Sequence, residues 1–226
     1  MISMKQISLL FLVFCLVKVM NAQTQMMSDF YFQKAQPDKV EEISQIIGEI
    51  VGEYTREEDR SVVLIVARDS VYCRYPVVMF LSVADIDSSE KYEIRKNKIY
   101  GVREAQGLPV QIMDDTAVFM HYAHELIFAP KISGVMKKHN GVYYFNYLQE
   151  NDLYTTIALS LGEDELYLHS LDHSLVMPKI RNFSSLEEVK LDGVTTYIAS
   201  PSNEEMIAFY EDKGFKDKIK YLRKSD

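Results

Sequence analysis

The stretch from residue 134 to residue 171 constrains the fold more than any other part of the chain. Its first turn is Asn140-Gly141, which is the strongest two-residue hairpin signal. Turns at 149–152 and 162–164 then separate the runs VYYFNYL, LYTTIALSL and ELYLHSL. These runs predict an antiparallel meander whose middle strand has one apolar face and one face of small and polar side chains.

An amphipathic helix is predicted before the meander, over residues 38–54. Pro37 stands where a helix favours proline, in its first turn. Apolar side chains follow at steps of three and four residues, which is the spacing of one helix face. They are Val40, Ile43, Ile46, Ile47, Ile50, Val51 and Tyr54. Ile47 lies at the centre of this face, so we expect its side chain in the core.

A second helix is predicted near the C-terminus, because Ser202 and Glu205 have the spacing of a capping box. Both predicted helices lie outside the meander in the chain. The order therefore predicts an α+β fold, with an antiparallel sheet around 134–171 packed against an N-terminal amphipathic helix and a C-terminal helix.

Four further segments between residues 60 and 113 have strand character, the last of them residues 108–113. Residues 62–67 form a continuous apolar run, which predicts a strand buried on both faces. A second apolar run covers residues 77–83, and β-favouring residues flank a hairpin tip at Asn97.

The candidate metal ligands are His121, His124 and Glu125, which lie within residues 115–128. If this segment is a helix, all three side chains project to one side and could hold a zinc ion with a further ligand from elsewhere. If it is a strand, His124 faces away from the other two and the site does not form. The sequence fits both alternatives, and the spacing differs from that of the zincin motif.

A second histidine pair, His169 and His173, is four residues apart. That spacing brings two side chains together only on a helix, whereas the run 166–168 favours a strand. We interpret this pair as polar residues at the edge of the sheet.

The start of the chain has the pattern of an export signal. Lys5 precedes an apolar run over residues 7–17, and Ala22 is a small residue at a cleavage position. The run is shorter than the roughly 20 residues of a membrane span. An uncleaved anchor is one alternative, and a lipid-modified Cys15 is another, which the bulky Phe14 before it disfavours.

The predicted organisation is a cleaved export signal at 1–22, a flexible lead-in at 23–36 and a single domain at 37–226. We expect an exported protein, periplasmic or secreted, with no integral membrane span after cleavage.

Composition excludes some classes of function. Cleavage removes two of the 25 basic side chains and none of the 33 acidic ones, so the mature chain has a formal charge near −10. Such a charge repels phosphate backbones, so no nucleic acid is expected as a partner. Of the two cysteines only Cys73 remains after cleavage, which leaves no internal disulfide.

The sequence contains no Gly-x-Ser-x-Gly elbow and no glycine-rich phosphate loop. We therefore expect no cofactor and a non-catalytic binding or interaction module, whose partner is an unknown protein or small-molecule ligand. Tyrosines in the predicted strands suit such a surface. The alternative is a metal-assisted hydrolase that uses His121, His124 and Glu125.

Signal cleavage gives the first testable prediction. Mass spectrometry of the exported protein should find the N-terminus at Gln23 or within a few residues of it. An intact Met1 or Met4 on membrane-bound material would show that the apolar run is an anchor.

Overall fold

The computed structural model describes residues 30–48, 50–102, 105–130, 132–149, 151–171, 178–191, 194–212, 214–215 and 217–224. Strands account for 53% of the structure and helices for 10%. The α+β class predicted from the sequence is therefore wrong, because the fold is built mainly from one large mixed sheet.

Fifteen strands occur in the described residues. They are β1 (Phe30–Phe32), β2 (Gly52–Arg56), β3 (Val63–Val66), β4 (Val71–Ser82), β5 (Glu93–Arg95), β6 (Lys98–Tyr100), β7 (Leu108–Met113), β8 (Thr116–Phe128), β9 (Gly134–His139), β10 (Val142–Leu148), β11 (Tyr154–Leu161), β12 (Glu165–Ser170), β13 (Glu187–Leu191), β14 (Val194–Ala199) and β15 (Asp217–Arg223). Their order in the sheet is β13-β14-β1-β11-β12-β15-β2-β3-β4-β8-β7-β6-β5, and β10 joins β9 to β11. Strands β1 and β14 run parallel, and the other named pairs are antiparallel.

The described residues include helix α1 (Val83–Asp87) and helix α2 (Asn203–Glu211), and residues 178–180 are also helical. The predicted C-terminal helix is confirmed, together with its cap. The Ser202 hydroxyl accepts from the Glu205 backbone N–H at 3.2 Å, and the Glu205 carboxylate accepts from the Ser202 N–H at 2.8 Å. No helix among the described residues has the length and apolar character needed to cross a membrane.

The meander predicted from the sequence is present as strands β9 to β12. Asn140 and Gly141 both have positive φ, at +48° and +79°, as the tight turn between β9 and β10 requires. The hairpin around Asn97 is also present, between β5 and β6. These turns were predictable because the chemistry that specifies them is local.

The meander is buried on both faces, which is why β10 carries five buried residues in succession. The first core fills one face and contains Ile46, Ile50, Tyr54, Leu64, Val66, Val71, Phe128, Met136, Tyr143, Phe145, Leu159, Leu166 and Tyr221. The second core fills the other face and contains Phe30, Phe32, Val142, Tyr144, Ala158, Ile180, Phe183, Ala199, Met206, Phe209 and Phe215. Helix α2 contributes to the second core through Met206 and Phe209.

A long antiparallel ribbon extends from this body. It pairs the 12 residues of β4 with the 13 of β8, and β7 adds to it beside residues 116–119. We call strands β4, β7 and β8 the arm. Its base lies in the first core through Val71 and Phe128. Its tip has a third core, formed by Ile86, Ile99, Ala117 and Phe119.

The predicted helix over 38–54 does not form, and this is the main correction to the sequence analysis. Residues 33–48 and 50–51, here called the strap, follow an irregular path, and residues 52–54 begin β2. The strap bonds to the rest of the fold at several points. The Ile43 N–H donates to the Met136 carbonyl of β9 at 2.8 Å, and the Ile46 N–H donates at 2.7 Å to the Arg68 carbonyl in the turn between β3 and β4.

Local chemistry explains why the helical spacing misled. Gly48 has a φ of +93°, which a right-handed helix does not contain. The segment is also rich in isoleucine, whose β-branched side chain lowers helix propensity. Ile46 and Ile50 reach the first core, but Ile47 points outward and is 69% exposed. The expectation that Ile47 lies in the core is wrong.

Part of the predicted lead-in is also ordered. Phe30 and Phe32 belong to β1, are fully buried, and pack edge to face at 4.9 Å. Their strand pairs with β14 from the far end of the chain. Residues 1–29, with the predicted signal and its cleavage position, lie outside the described residues.

Replacement of neighbouring isoleucines in the strap tests this arrangement. Ile46 is 1% exposed, so Ile46→Ala should lower the free energy of unfolding by about 2–5 kcal/mol through lost burial and a cavity. Ile47→Ala should change it by about 0.5 kcal/mol or less. Denaturant unfolding of both variants measures the difference, and a larger loss at Ile47 would restore the helical arrangement.

Candidate functional site

The three predicted metal ligands lie on β8, so the strand alternative for residues 115–128 is the one observed. His124 lies opposite Arg74 on one side of the arm, and His121 and Glu125 project from the other side. These two are four residues apart, which is roughly 13 Å along a strand, whereas zinc ligands lie about 2 Å from the ion. No group of three or more His, Cys, Asp or Glu side chains in the described part of the chain is placed to hold a metal ion.

His169 lies within the fold and not at an open sheet edge, which corrects the interpretation made from the sequence. Its Nε2 is 2.9 Å from the Ser160 hydroxyl, and the Tyr210 ring of α2 lies 5.6 Å away. Burial, and secondarily the charge of Lys218, lowers the pKa of His169 to about 4, against a backbone hydrogen bond to Phe215 that raises it. The imidazole is therefore neutral at pH 7. His173 lies outside the described residues.

Ser160 and His169 make a hydroxyl–imidazole pair that sequence analysis missed. The two residues are nine apart and come together only because β11 and β12 pair with Ala158 opposite His169. A hydroxyl beside a neutral imidazole is one element of a nucleophile, but the charged group that acts on this imidazole is the Lys218 cation and not a carboxylate. Through His169, the pair contacts the Tyr210 ring of α2.

A shallow pocket of about 190 Å³ lies beside α2. It is smaller than the roughly 300–1,000 Å³ of a ligand pocket. Its charged side chains are also paired: Lys179 contacts Asp212 at 3.1 Å, and Glu205 caps the helix. This pocket is a weak candidate for a small-molecule site.

The most unusual surface of the molecule is one side of the arm. Strand alternation and the β4–β8 register place six large apolar side chains there, each between 41% and 62% exposed. They are Val78, Phe80, Met113, Met120, Tyr122 and Leu126. We call this side of the arm the bare face. Large apolar patches on a protein surface mark interaction sites more often than single exposed residues do.

The opposite side of the same strands is partly covered by the chain itself. Ala117 and Phe119 lie there and are buried in the third core, against Ile86 of α1 and Ile99 of β6. Met79 and Ile112 lie on the same side and are 37% and 48% exposed. The arm near its tip is therefore a sheet with the third core on one side and the bare face on the other.

The bare face carries little charge. Arg74 and His124 are its only cationic or potentially cationic side chains, and no Asp or Glu of β4, β7 or β8 lies on this side. Arg74 is paired with Glu53 at 3.4 Å and lies 6.0 Å from the Tyr122 ring centroid. On a chain with a large excess of acid, this face is an exception.

The outer edge of β4 is open along two thirds of its length, over residues 75–82. Strand β3 pairs with residues 71–74, and within the described residues no strand other than β8 pairs with residues 75–82. Pro76 lies in that open stretch and has no N–H to donate. Proline on an exposed edge discourages the addition of another strand, so the face is the surface available for contact.

Comparison of the chain with family models, with curated proteins and with solved structures gives no match. The site therefore stands on its geometry alone.

The sequence contained part of the signal for the bare face. Residues 77–83 are a nearly continuous apolar run, which indicates a strand that is buried on both faces. The structure packs Leu81, on one side of this strand, against the third core, and it leaves Val78 and Phe80 on the other side exposed. An apolar strand face that the chain itself leaves exposed is typical of a contact surface.

The titration of His169 gives a prediction. Its folded-state pKa, about 4, lies below the usual 6.5, so protonation favours the unfolded chain. The contribution of His169 to the free energy of unfolding should be fully present above pH 6.5, and it should fall by up to about 3 kcal/mol as the pH approaches 4. His169→Gln should flatten this part of the unfolding profile. His139→Gln is the control for loss of an imidazole. If it changes the pH dependence of unfolding as much as His169→Gln does, that pH dependence does not come from His169.

Proposed function

We propose that this protein is an exported, non-catalytic binding module, and that the bare face is its protein-binding surface. The observation that carries the proposal is the concentration of six exposed apolar side chains on one side of a single ribbon. Export rests on the signal pattern of residues 1–22.

The size of the bare face supports a protein partner. With about 200 Å² for a fully exposed large side chain, the six residues present roughly 600 Å² of apolar surface. This equals the largest patches found on ordinary monomers, which are often functional. A shallow, open sheet suits another protein surface better than a small molecule, which binds in a concave pocket.

The residue types support the same conclusion. Interface centres are enriched in aromatic residues and methionine and depleted in acidic ones. The bare face has Phe80, Tyr122 and two methionines, and it has no carboxylate on its strands. By contrast, the metal-assisted hydrolase has no comparable support, because β8 directs His124 away from His121 and Glu125.

Methionine footprinting tests whether the bare face is occupied. Met113 and Met120 are exposed on it, whereas Met136 and Met206 are buried in the two cores of the body. In dilute purified protein, peroxide should oxidise the first pair much faster than the second. In the exported compartment of the producing cells, oxidation of Met113 and Met120 should be slowed about tenfold or more by the partner.

Met79 serves as an internal control, because it is partly exposed on the other side of the arm. Its rate should be similar in both settings. Equal rates at Met113 and Met120 in cells and in dilute solution would show that the bare face has no partner, and would overturn the proposal.

A further inference from the structure

We infer that the occupant of the bare face is a second copy of this chain, packed face to face across a twofold axis. This inference rests on the proposed function, since it identifies the partner of the same surface.

The available area matches what a dimer needs. A standard interface buries about 800 Å² on each partner. The roughly 600 Å² of apolar side chain on the bare face supplies most of this. The partly exposed neighbours on the same side, Pro76 and Val118, lie within its outline and add to it. Face-to-face packing of two such sheets at about 10 Å would remove this surface from water.

The charge distribution favours self-association through this face. Two mature chains, each near −10, repel one another over most of their surfaces. The strands of the bare face contribute no carboxylate, so the carboxylates of two copies do not face each other across these strands. The same net charge disfavours an anionic lipid surface, which attracts clusters of Lys and Arg.

The register of the arm suggests one arrangement of the two copies. Val78 and Met120 lie opposite each other near the middle of the bare face. A twofold axis between the sheets, perpendicular to the strands at this pair, places Phe80 of one copy over Pro76 of the other. It likewise places Tyr122 over Val118, which gives each aromatic ring an apolar neighbour.

The same axis keeps the cationic groups apart. Arg74 of one copy then lies over Ser82 of the other, and His124 lies over Thr116. An axis parallel to the strands would instead stack Arg74 on His124. In a twofold interface each such contact occurs twice, so the difference between the two arrangements is doubled.

Sedimentation equilibrium of the purified mature chain, from micromolar to several hundred micromolar, tests the inference. The expected result is a reversible rise to twice the mass of one chain.

Phe80→Asp places a charge at the interface and should weaken association at least ~100-fold. Ile47→Asp makes the same change at a similarly exposed site on the strap, outside the bare face, and should leave the dimer intact. Thermal unfolding of both variants checks that they fold.

The other outcomes are distinguishable. A dimer that Phe80→Asp does not weaken would use another surface, and would overturn the inference. A monomer at every concentration, with Met113 and Met120 protected in cells, would also overturn it and would leave the proposed function standing with a different partner. A monomer whose methionines are unprotected in cells would overturn both.

Discussion

The body of this protein depends on a buried ammonium group that attaches the strap to the meander. The Nζ of Lys137 donates to three backbone carbonyl oxygens of the strap at 2.8–3.1 Å. Burial lowers the pKa of Lys137, while the nearby Asp38 and Glu42 oppose that shift. A buried charge without partners costs several kcal/mol, so this side chain is stable in its place only when the strap is there to receive it. Asn146 adds to the attachment, since its amide bonds to both backbone groups of Gln36 at 2.7 and 2.9 Å.

This attachment places the strap over the edge of β9. Lys137 and Asn146 face the second core, whereas Ile46 and Ile50, further along the strap, reach the first core. The strap therefore crosses the edge of β9, where the Ile43 N–H bonds to the strand. An unpaired edge invites aggregation, and this one is covered by the chain's own backbone. The described residues contain no disulfide to do the same work.

The limits of prediction follow from which interactions are local. The Asn140-Gly141 turn and the Ser202–Glu205 cap are complete within a few residues, and both were predictable. The strap was not, because its apolar spacing fits a helix, whereas its actual hydrogen-bond partners lie far along the chain, from Arg68 to Asn146. The Ser160–His169 pair was missed because strand pairing alone brings its members together. The predicted metal site depended on whether residues 115–128 form a helix or a strand. The apolar spacing of this segment fits both, so the sequence did not distinguish them.

The arm and the body differ in how they are stabilised, and this difference connects the fold with its proposed use. The body is a sheet with a core on each face, whereas the outer arm has one small core on one face. Regions with fewer buried contacts open more readily than the rest of a protein. A partner that binds only the folded arm would stabilise it by mass action. Apolar residues that gain nothing in the isolated chain, such as Phe80, would then contribute to stability only in the complex. The bare face would therefore be buried only when a partner binds to it.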